Sequence, residues 1–188
     1  MDLIKMALRY AARLQRAPDR HIDVSVEPEL HVVRQPSPMT CWAAAGTTLK
    51  SWQARTPLRI HEALEPLGDY WRDKFEADEG LSAVELAAFA GALGLTSRAP
   101  TRHSVAGLAR LLEDEGPLWV VSDDPFEDNN TVHLRVVAAM KGDGTGEGTT
   151  VTLADSSSGS FVTESFTEFA RDLEASDPSA FGAGLYHF

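Results

Sequence analysis

The sequence predicts an α+β domain in which helices precede an antiparallel sheet. Apolar residues recur at helical spacing up to about residue 116, and the pattern then changes to continuous apolar runs that are typical of strands. The glycine-rich segment 142–148 lies between two such runs, which is typical of a hairpin turn. With 188 residues, the chain is long enough for one domain with a full hydrophobic core.

The helices are predicted from their starts and stops. Residues 3–16 have an amphipathic pattern, so we expect an N-terminal helix within residues 1–20, ahead of a single domain over residues 21–188. Thr40 is a good helix cap, Ser82 and Glu85 form a capping box, and Ser104 opens a further helix. The predicted helices in the domain are 41–53, 83–93 and 103–116, whereas the pattern over 57–80 is weak.

The strands follow in the second half. The run 131–140 is apolar at nearly every position, as expected for a central strand. A second capping box, formed by Ser165 and Glu168, predicts one more helix to about residue 173. The predicted strands are 118–121, 131–140, 149–155, a short one at 161–162 and a last one at 184–188.

Charge and cysteine content exclude several classes of protein. The 17 basic and 28 acidic residues give a net charge of −11, which opposes binding to nucleic acid or to an anionic membrane. No apolar run is long enough for a membrane span, and the N-terminus lacks the pattern of a signal peptide. We therefore expect a protein that is cytoplasmic in the producing cell, with a specialised secretion system as the route if it is exported.

Cys41, the only cysteine, is a candidate nucleophile. It falls on the first turn of the predicted helix, where unpaired N–H groups and the helix dipole favour a thiolate. The Gln35 side chain, six residues upstream, is a candidate donor to an oxyanion at the same place. A lone cysteine forms no internal disulfide, and no Cys/His pair has zinc spacing, so the sequence predicts no metal or cofactor.

A thiolate nucleophile needs a base and a group that orients the base. His133 begins the predicted central strand, and a hairpin centred near residues 144–146 brings Asp155 close to it. The alternatives are a solvent-exposed His133 ring and an Asp155 that caps the following turn. Asp143 and Asp123 are substitutes for Asp155, and Arg135 shares the predicted strand face with His133 without an evident partner.

With these residues, the chain resembles the papain-like cysteine peptidases. Gln35, Cys41 followed by Trp42, His133 and Asp155 occur in the family's order, and the step from Gln35 to Cys41 matches the family's step. The closer likeness is to compact bacterial forms, namely bacteriocin-processing peptidase domains and papain-like effectors of plant pathogens. The resemblance covers residues 31–160. It departs from the family in having Asp at the third triad position and Leu134 after the histidine.

The resemblance implies a papain-like fold, in which the cysteine-bearing helix packs on the C-terminal sheet, and a Cys-His-Asp triad that cleaves peptide bonds. It implies Gln35 as oxyanion donor and Trp42 as a residue that contacts substrate or packs beneath the site. A small acidic domain of this kind suggests a bacterial effector or toxin, with a protein or peptide substrate and an immunity or inhibitor protein as partners. A cell-wall amidase, a transglutaminase or deamidase, and an inactive binding module of the same fold remain alternatives.

Overall fold

The computed structural model describes residues 21–98, 103–123, 132–175 and 184–188. Within them, the chain forms six α-helices and seven strands. The helices are α1 (Cys41–Ala54), α2 (Ile60–Leu64), α3 (Asp69–Glu76), α4 (Ala83–Leu93), α5 (Val105–Glu115) and α6 (Phe166–Ala175). The strands are β1 (Ile22–Ser25), β2 (Thr96–Arg98), β3 (Leu118–Asp123), β4 (Val132–Gly142), β5 (Thr149–Asp155), β6 (Ser160–Ser165) and β7 (Leu185–His187). The helix predicted at 3–16, and with it the whole segment 1–20, lies outside the described residues.

Capping interactions set the limits of the later helices. The Ser82 hydroxyl accepts a hydrogen bond from the backbone N–H of Glu85, and the Glu85 carboxylate accepts one from the backbone N–H of Ser82. Gly94 ends α4 in the left-handed conformation, with φ 84°. Ser165 and Glu168 form the same reciprocal pair at the start of α6. These predictions from the sequence are confirmed.

The structure differs from the sequence analysis between residues 57 and 80, where α2 and α3 lie. They have 5 and 8 residues, which is too few for a clear helical period. Both are anchored by a few apolar side chains, such as Leu64 and Trp71, in an otherwise polar stretch. The short strand β2 was also not predicted, because all three of its residues are exposed and carry no alternating pattern.

All strand pairs of the described sheet are antiparallel, in the order β2-β7-β3-β4-β5-β6. β1 pairs with the distal part of β4, beyond the end of β3. The hairpin between β4 and β5 places Arg135 opposite Asp155 and Gly142 opposite Thr149. The end of β5 therefore returns to the start of β4, as the position of the glycine-rich turn predicts.

Aromatic side chains join the helices to the sheet. Trp42 of α1 contacts Phe89 of α4 edge to face, at 4.8 Å between ring centroids, and Trp71 of α3 contacts both rings. Phe89 also contacts Trp119 of β3 at 5.9 Å. Because this cluster is buried, it fixes α1 against α4 and the sheet. None of the helices in the described ranges has the length and apolar character needed to cross a bilayer.

Candidate active site

Cys41 is the first residue of α1 and is half-buried. The 3₁₀ turn Pro38–Thr40 leads directly into it. Thr40 occupies the N-cap position, but its hydroxyl donates back to the Ser37 carbonyl oxygen at 2.8 Å and makes no capping hydrogen bond to α1. The prediction of a side-chain cap at Thr40 was therefore wrong. The sulfur nevertheless lies at the helix start, where the dipole favours negative charge.

His133 and Asp155 come together at the other side of the site. His133 is the second residue of β4, and Asp155 is the last residue of β5. The Nε2 atom of His133 lies 3.1 Å from Oδ2 of Asp155. The second carboxylate oxygen, Oδ1, accepts a hydrogen bond of 2.7 Å from the backbone N–H of Ser158. Asp155 therefore contacts the imidazole with one oxygen and caps the following turn with the other. The orienting role and the capping role predicted for this residue are compatible.

The Cys41 side chain lies close enough to the His133 imidazole to raise its pKa through hydrogen bonding and charge. Since Asp155 occupies Nε2, the ring nitrogen left for the sulfur is Nδ1. Cys41, His133 and Asp155 thus place a thiol, an imidazole and a carboxylate in one neighbourhood. The helix that carries Cys41 is far in sequence from the hairpin that carries His133 and Asp155, and the fold brings them together.

Electrostatics keep this imidazole protonated. Burial, the largest influence, lowers the pKa of His133, but the hydrogen bonds and charges of Asp155 and Cys41 outweigh it and raise the pKa to about 9. For Asp155, burial raises the pKa, whereas the hydrogen bonds from His133 and Ser158 lower it to about 2. An imidazolium beside a carboxylate is therefore the stable pair at neutral pH.

Gln35 lies between the loop that precedes Cys41 and the turn that follows Asp155. Its Nε2 donates to the carbonyl oxygens of Ser37 at 3.1 Å and Pro38 at 3.0 Å. Its Oε1 accepts from the Ser156 hydroxyl at 2.8 Å. Both ends of the side-chain amide are therefore engaged in hydrogen bonds, and the role of Gln35 as an oxyanion donor stays a prediction.

Trp42 does not face a substrate cleft. Its side chain is only 1% exposed, and its Nε1 donates to the Glu79 carbonyl oxygen at 3.0 Å. The prediction of direct substrate contact is therefore corrected by the structure, because a fully buried ring offers no surface to a ligand. The ring instead packs beneath the site and holds the first turn of α1 against α4.

The partner of Arg135 is Glu164 of β6. Nη1 of Arg135 lies 3.1 Å from Oε2 of Glu164, and Nε donates to the Ser122 hydroxyl at 3.1 Å. Arg135 is 8% exposed, so the pair is largely removed from solvent. The carboxylate neutralises the guanidinium, which accounts for a histidine with a raised pKa on the same strand face as an arginine.

The two substitute carboxylates have other positions. Asp143 lies in the hairpin turn at the opposite end of β4 from His133, and its carboxylate accepts from the backbone and hydroxyl of Thr145. Asp123 ends β3 opposite Val132. In the described part of the chain, no group of three or more His, Cys, Asp or Glu side chains is arranged to hold a metal ion.

Sequence reasoning missed Ser156, which the Ser-Ser-Ser-Gly run suggested only as part of a turn. Its side chain is 2% exposed, and its hydroxyl reaches Gln35 across 121 positions of sequence. Three adjacent serines give no signal that distinguishes the buried one. A separate cavity of about 550 Å³ lies between β1 and the end of α5, and its lining contains none of the predicted site residues.

A thiol, an imidazole and a carboxylate in this order are the kinds of group that a cysteine hydrolase uses. Comparison with known proteins agrees. The family model described as papain-like cysteine protease AvrRpt2 matches residues 20–174, so the chain belongs to this family of cysteine peptidases. The predicted family, fold class and enzyme class are confirmed.

One solved structure similar to the chain is that of UfSP from C. elegans, with a TM-score of 0.51 and 14% sequence identity. The match covers 84% of this chain and 34% of the UfSP chain, so the present chain spans about a third of that protein. At this identity the likeness concerns the fold. No curated protein sequence matches the chain.

Proposed function

We propose that this protein is a protease that cleaves peptide bonds of a protein target through a Cys41-His133-Asp155 triad. The observation that carries the proposal is the position of the His133 ring, whose Nε2 lies 3.1 Å from Oδ2 of Asp155 and whose pKa is raised by the nearby Cys41 side chain. Family membership supports peptide-bond hydrolysis as the reaction.

In the proposed mechanism, the Cys41 thiolate attacks the carbonyl carbon of the scissile bond while His133 holds the proton. The imidazolium then donates this proton to the leaving amine, and a thioester remains on Cys41. His133 next removes a proton from water, which attacks the thioester and releases the second product. Asp155 orients the ring through Nε2 and stabilises its charged form throughout.

Gln35 and the backbone N–H of Cys41 are the proposed oxyanion donors. In the structure, Nε2 of Gln35 donates to two neutral carbonyl oxygens, those of Ser37 and Pro38. A negatively charged oxyanion is a stronger acceptor than either carbonyl. The donor therefore gains most when charge develops on the substrate, so it stabilises the transition state more than the bound substrate.

The test is a search for new N-termini produced by cleavage. The purified protein is incubated with peptides derived from a whole proteome, and new α-amino termini are identified by mass spectrometry. We expect termini that share a sequence preference and are absent with Cys41→Ala. A gain of about 1 Da at glutamine, cross-linked products, or cleavage confined to peptidoglycan would each contradict a protein protease. The same termini with Cys41→Ala would exclude Cys41 as the nucleophile.

We further propose that the protein acts as a bacterial effector or toxin inside a target cell, where an immunity or inhibitor protein covers the cleft. The support is the AvrRpt2 type of the matching family, together with the acidic charge that opposes nucleic acid and membrane partners. Expression of the wild type inside target cells should impair growth, and Cys41→Ala should not. Harmless accumulation of active protein would contradict this role.

A further inference from the structure

Two segments that flank the proposed site are bound to each other through Gln35. The backbone N–H of Gln35 donates to the Ser156 carbonyl oxygen at 2.9 Å. The Ser156 hydroxyl donates back to Oε1 of Gln35 at 2.8 Å. Two hydrogen bonds thus join Gln35 to Ser156, the residue that directly follows Asp155.

The packing around this contact is close. The Ser156 side chain is 2% exposed, so water does not compete for its hydroxyl. Gly159, in the same turn, has φ 69° and lies against Arg34, where a Cβ atom on the glycine would come 2.8 Å from Cβ of Arg34. The turn is closed by the backbone N–H of Gly159, which donates to the Asp155 carbonyl oxygen at 2.9 Å. The hydroxyl is therefore held at a fixed place relative to Gln35.

The Ser37 and Pro38 carbonyls decide which way the amide of Gln35 points, and the Ser156 hydroxyl holds its oxygen end in place. An amide rotated by a half turn would direct its N–H groups at the Ser156 side and its oxygen at the Ser37 and Pro38 carbonyls, where oxygen would face oxygen. The hydrogen bond from Ser156 to Oε1 restrains the amide in this orientation, with Nε2 on the side of the Cys41 loop. This end of the amide is the one that meets an oxyanion.

We propose that Ser156 is a positioning residue that acts through Gln35 to hold the oxyanion donor toward Cys41. The inference rests on the proposed function. It gives the turn after β5 two tasks: Asp155 orients the imidazole, and Ser156 orients the amide. The removal of either side chain should therefore impair a different part of the same reaction.

The test compares two reactions of Cys41 that differ in their need for an oxyanion donor. Hydrolysis of an N-acylglycine p-nitrophenyl ester passes through a tetrahedral oxyanion. Alkylation by iodoacetamide is a direct displacement of iodide by the thiolate and forms no oxyanion. Ser156→Ala should lower kcat for the ester roughly tenfold, which is less than the 10²–10³-fold loss typical when an oxyanion donor itself is removed. The alkylation rate and its pH profile should stay within about twofold of the wild type.

Variants make the result specific. Ser157→Ala, the same substitution at the exposed neighbouring serine, should leave both rates unchanged. Ser156→Thr retains the hydroxyl and should recover most of the lost ester activity. Gln35→Ala combined with Ser156→Ala should be no slower than Gln35→Ala alone, because the two residues act on one interaction.

Equal losses of ester hydrolysis and alkylation in Ser156→Ala, or additive losses in the double variant, would overturn the inference and indicate general loosening of the fold. An unchanged kcat would overturn it as well. Failure of the proposed function has another signature: Cys41→Ala would then hydrolyse the ester as fast as the wild type. The two failures are thus separated by one set of variants.

Discussion

Replacement of Asp155 by asparagine should lower the pKa of His133, because the charge that stabilises the imidazolium is lost. The pKa of Asp155 is about 2 against its ordinary 3.8, a difference of about 1.8. At 1.36 kcal/mol for each pKa unit, this difference corresponds to about 2 kcal/mol of interaction. The hydrogen bond to His133 is the largest of the influences that lower it.

The structure also fixes which way the asparagine would face. The backbone N–H of Ser158 donates to one oxygen of Asp155, so an asparagine would keep its carbonyl oxygen there and turn its NH₂ toward His133. The NH₂ group cannot accept the Nε2 proton. We therefore expect the pKa of His133 to fall from about 9 by roughly 1–2 pH units, and ester hydrolysis to fall as the imidazolium is lost.

The assay is a pH titration of the six histidines by long-range ¹H–¹⁵N NMR, with His133 assigned from the spectrum of His133→Gln. Asp143→Asn is the matched control, since it removes the same charge at the far end of β4. A His133 titration that is equal in Asp155→Asn and wild type, or that lies near 6.5 in the wild type, would refute the reasoning.

Three further predictions concern stability. Arg135→Met leaves the Glu164 carboxylate buried without its cation and should lower the free energy of unfolding by about 3–5 kcal/mol in urea titrations, and Arg135→Met with Glu164→Leu should recover much of it. No recovery would contradict a role limited to pairing. Trp42→Ala should cost about 3–5 kcal/mol, and Trp42→Phe clearly less, because the ring is fully buried; equal losses would show that packing is not the cause. The raised pKa of His133 stabilises the folded state fully below pH 6.5, and this contribution is lost as the pH rises through about 9. Unfolding free energies should therefore fall over this range by about 3 kcal/mol more in wild type than in His133→Gln, and parallel curves would contradict it.

The elements that the sequence predicts well are those with a strong local signal. The capping box at Ser82 determines the start of α4, and the long apolar run determines β4, because each signal lies within a few residues. The hairpin is equally local, and its turn position alone brings Asp155 back to the start of β4. The sequence therefore predicts the pairing of His133 with Asp155.

Other features depend on contacts between distant residues. The local sequence does not decide whether the Thr40 hydroxyl caps α1 or binds Ser37. The 3₁₀ turn before α1 places it against the Ser37 carbonyl oxygen. The order Cys-Trp suggested a tryptophan at the cleft, but Phe89 and Trp71 draw the ring into the core. Ser156 is one of three consecutive serines, and its selection depends on how closely the turn packs against Arg34.

The most direct test of the central claim is to trap the acyl-enzyme. The protein is mixed with an N-acylglycine p-nitrophenyl ester, quenched in acid within the first turnover, and examined by intact and peptide-level mass spectrometry. We predict one added acyl group, located on the peptide that contains Cys41, and slower release of this group in His133→Gln. Ester turnover with the acyl group elsewhere, or unchanged turnover in Cys41→Ala, would contradict the account.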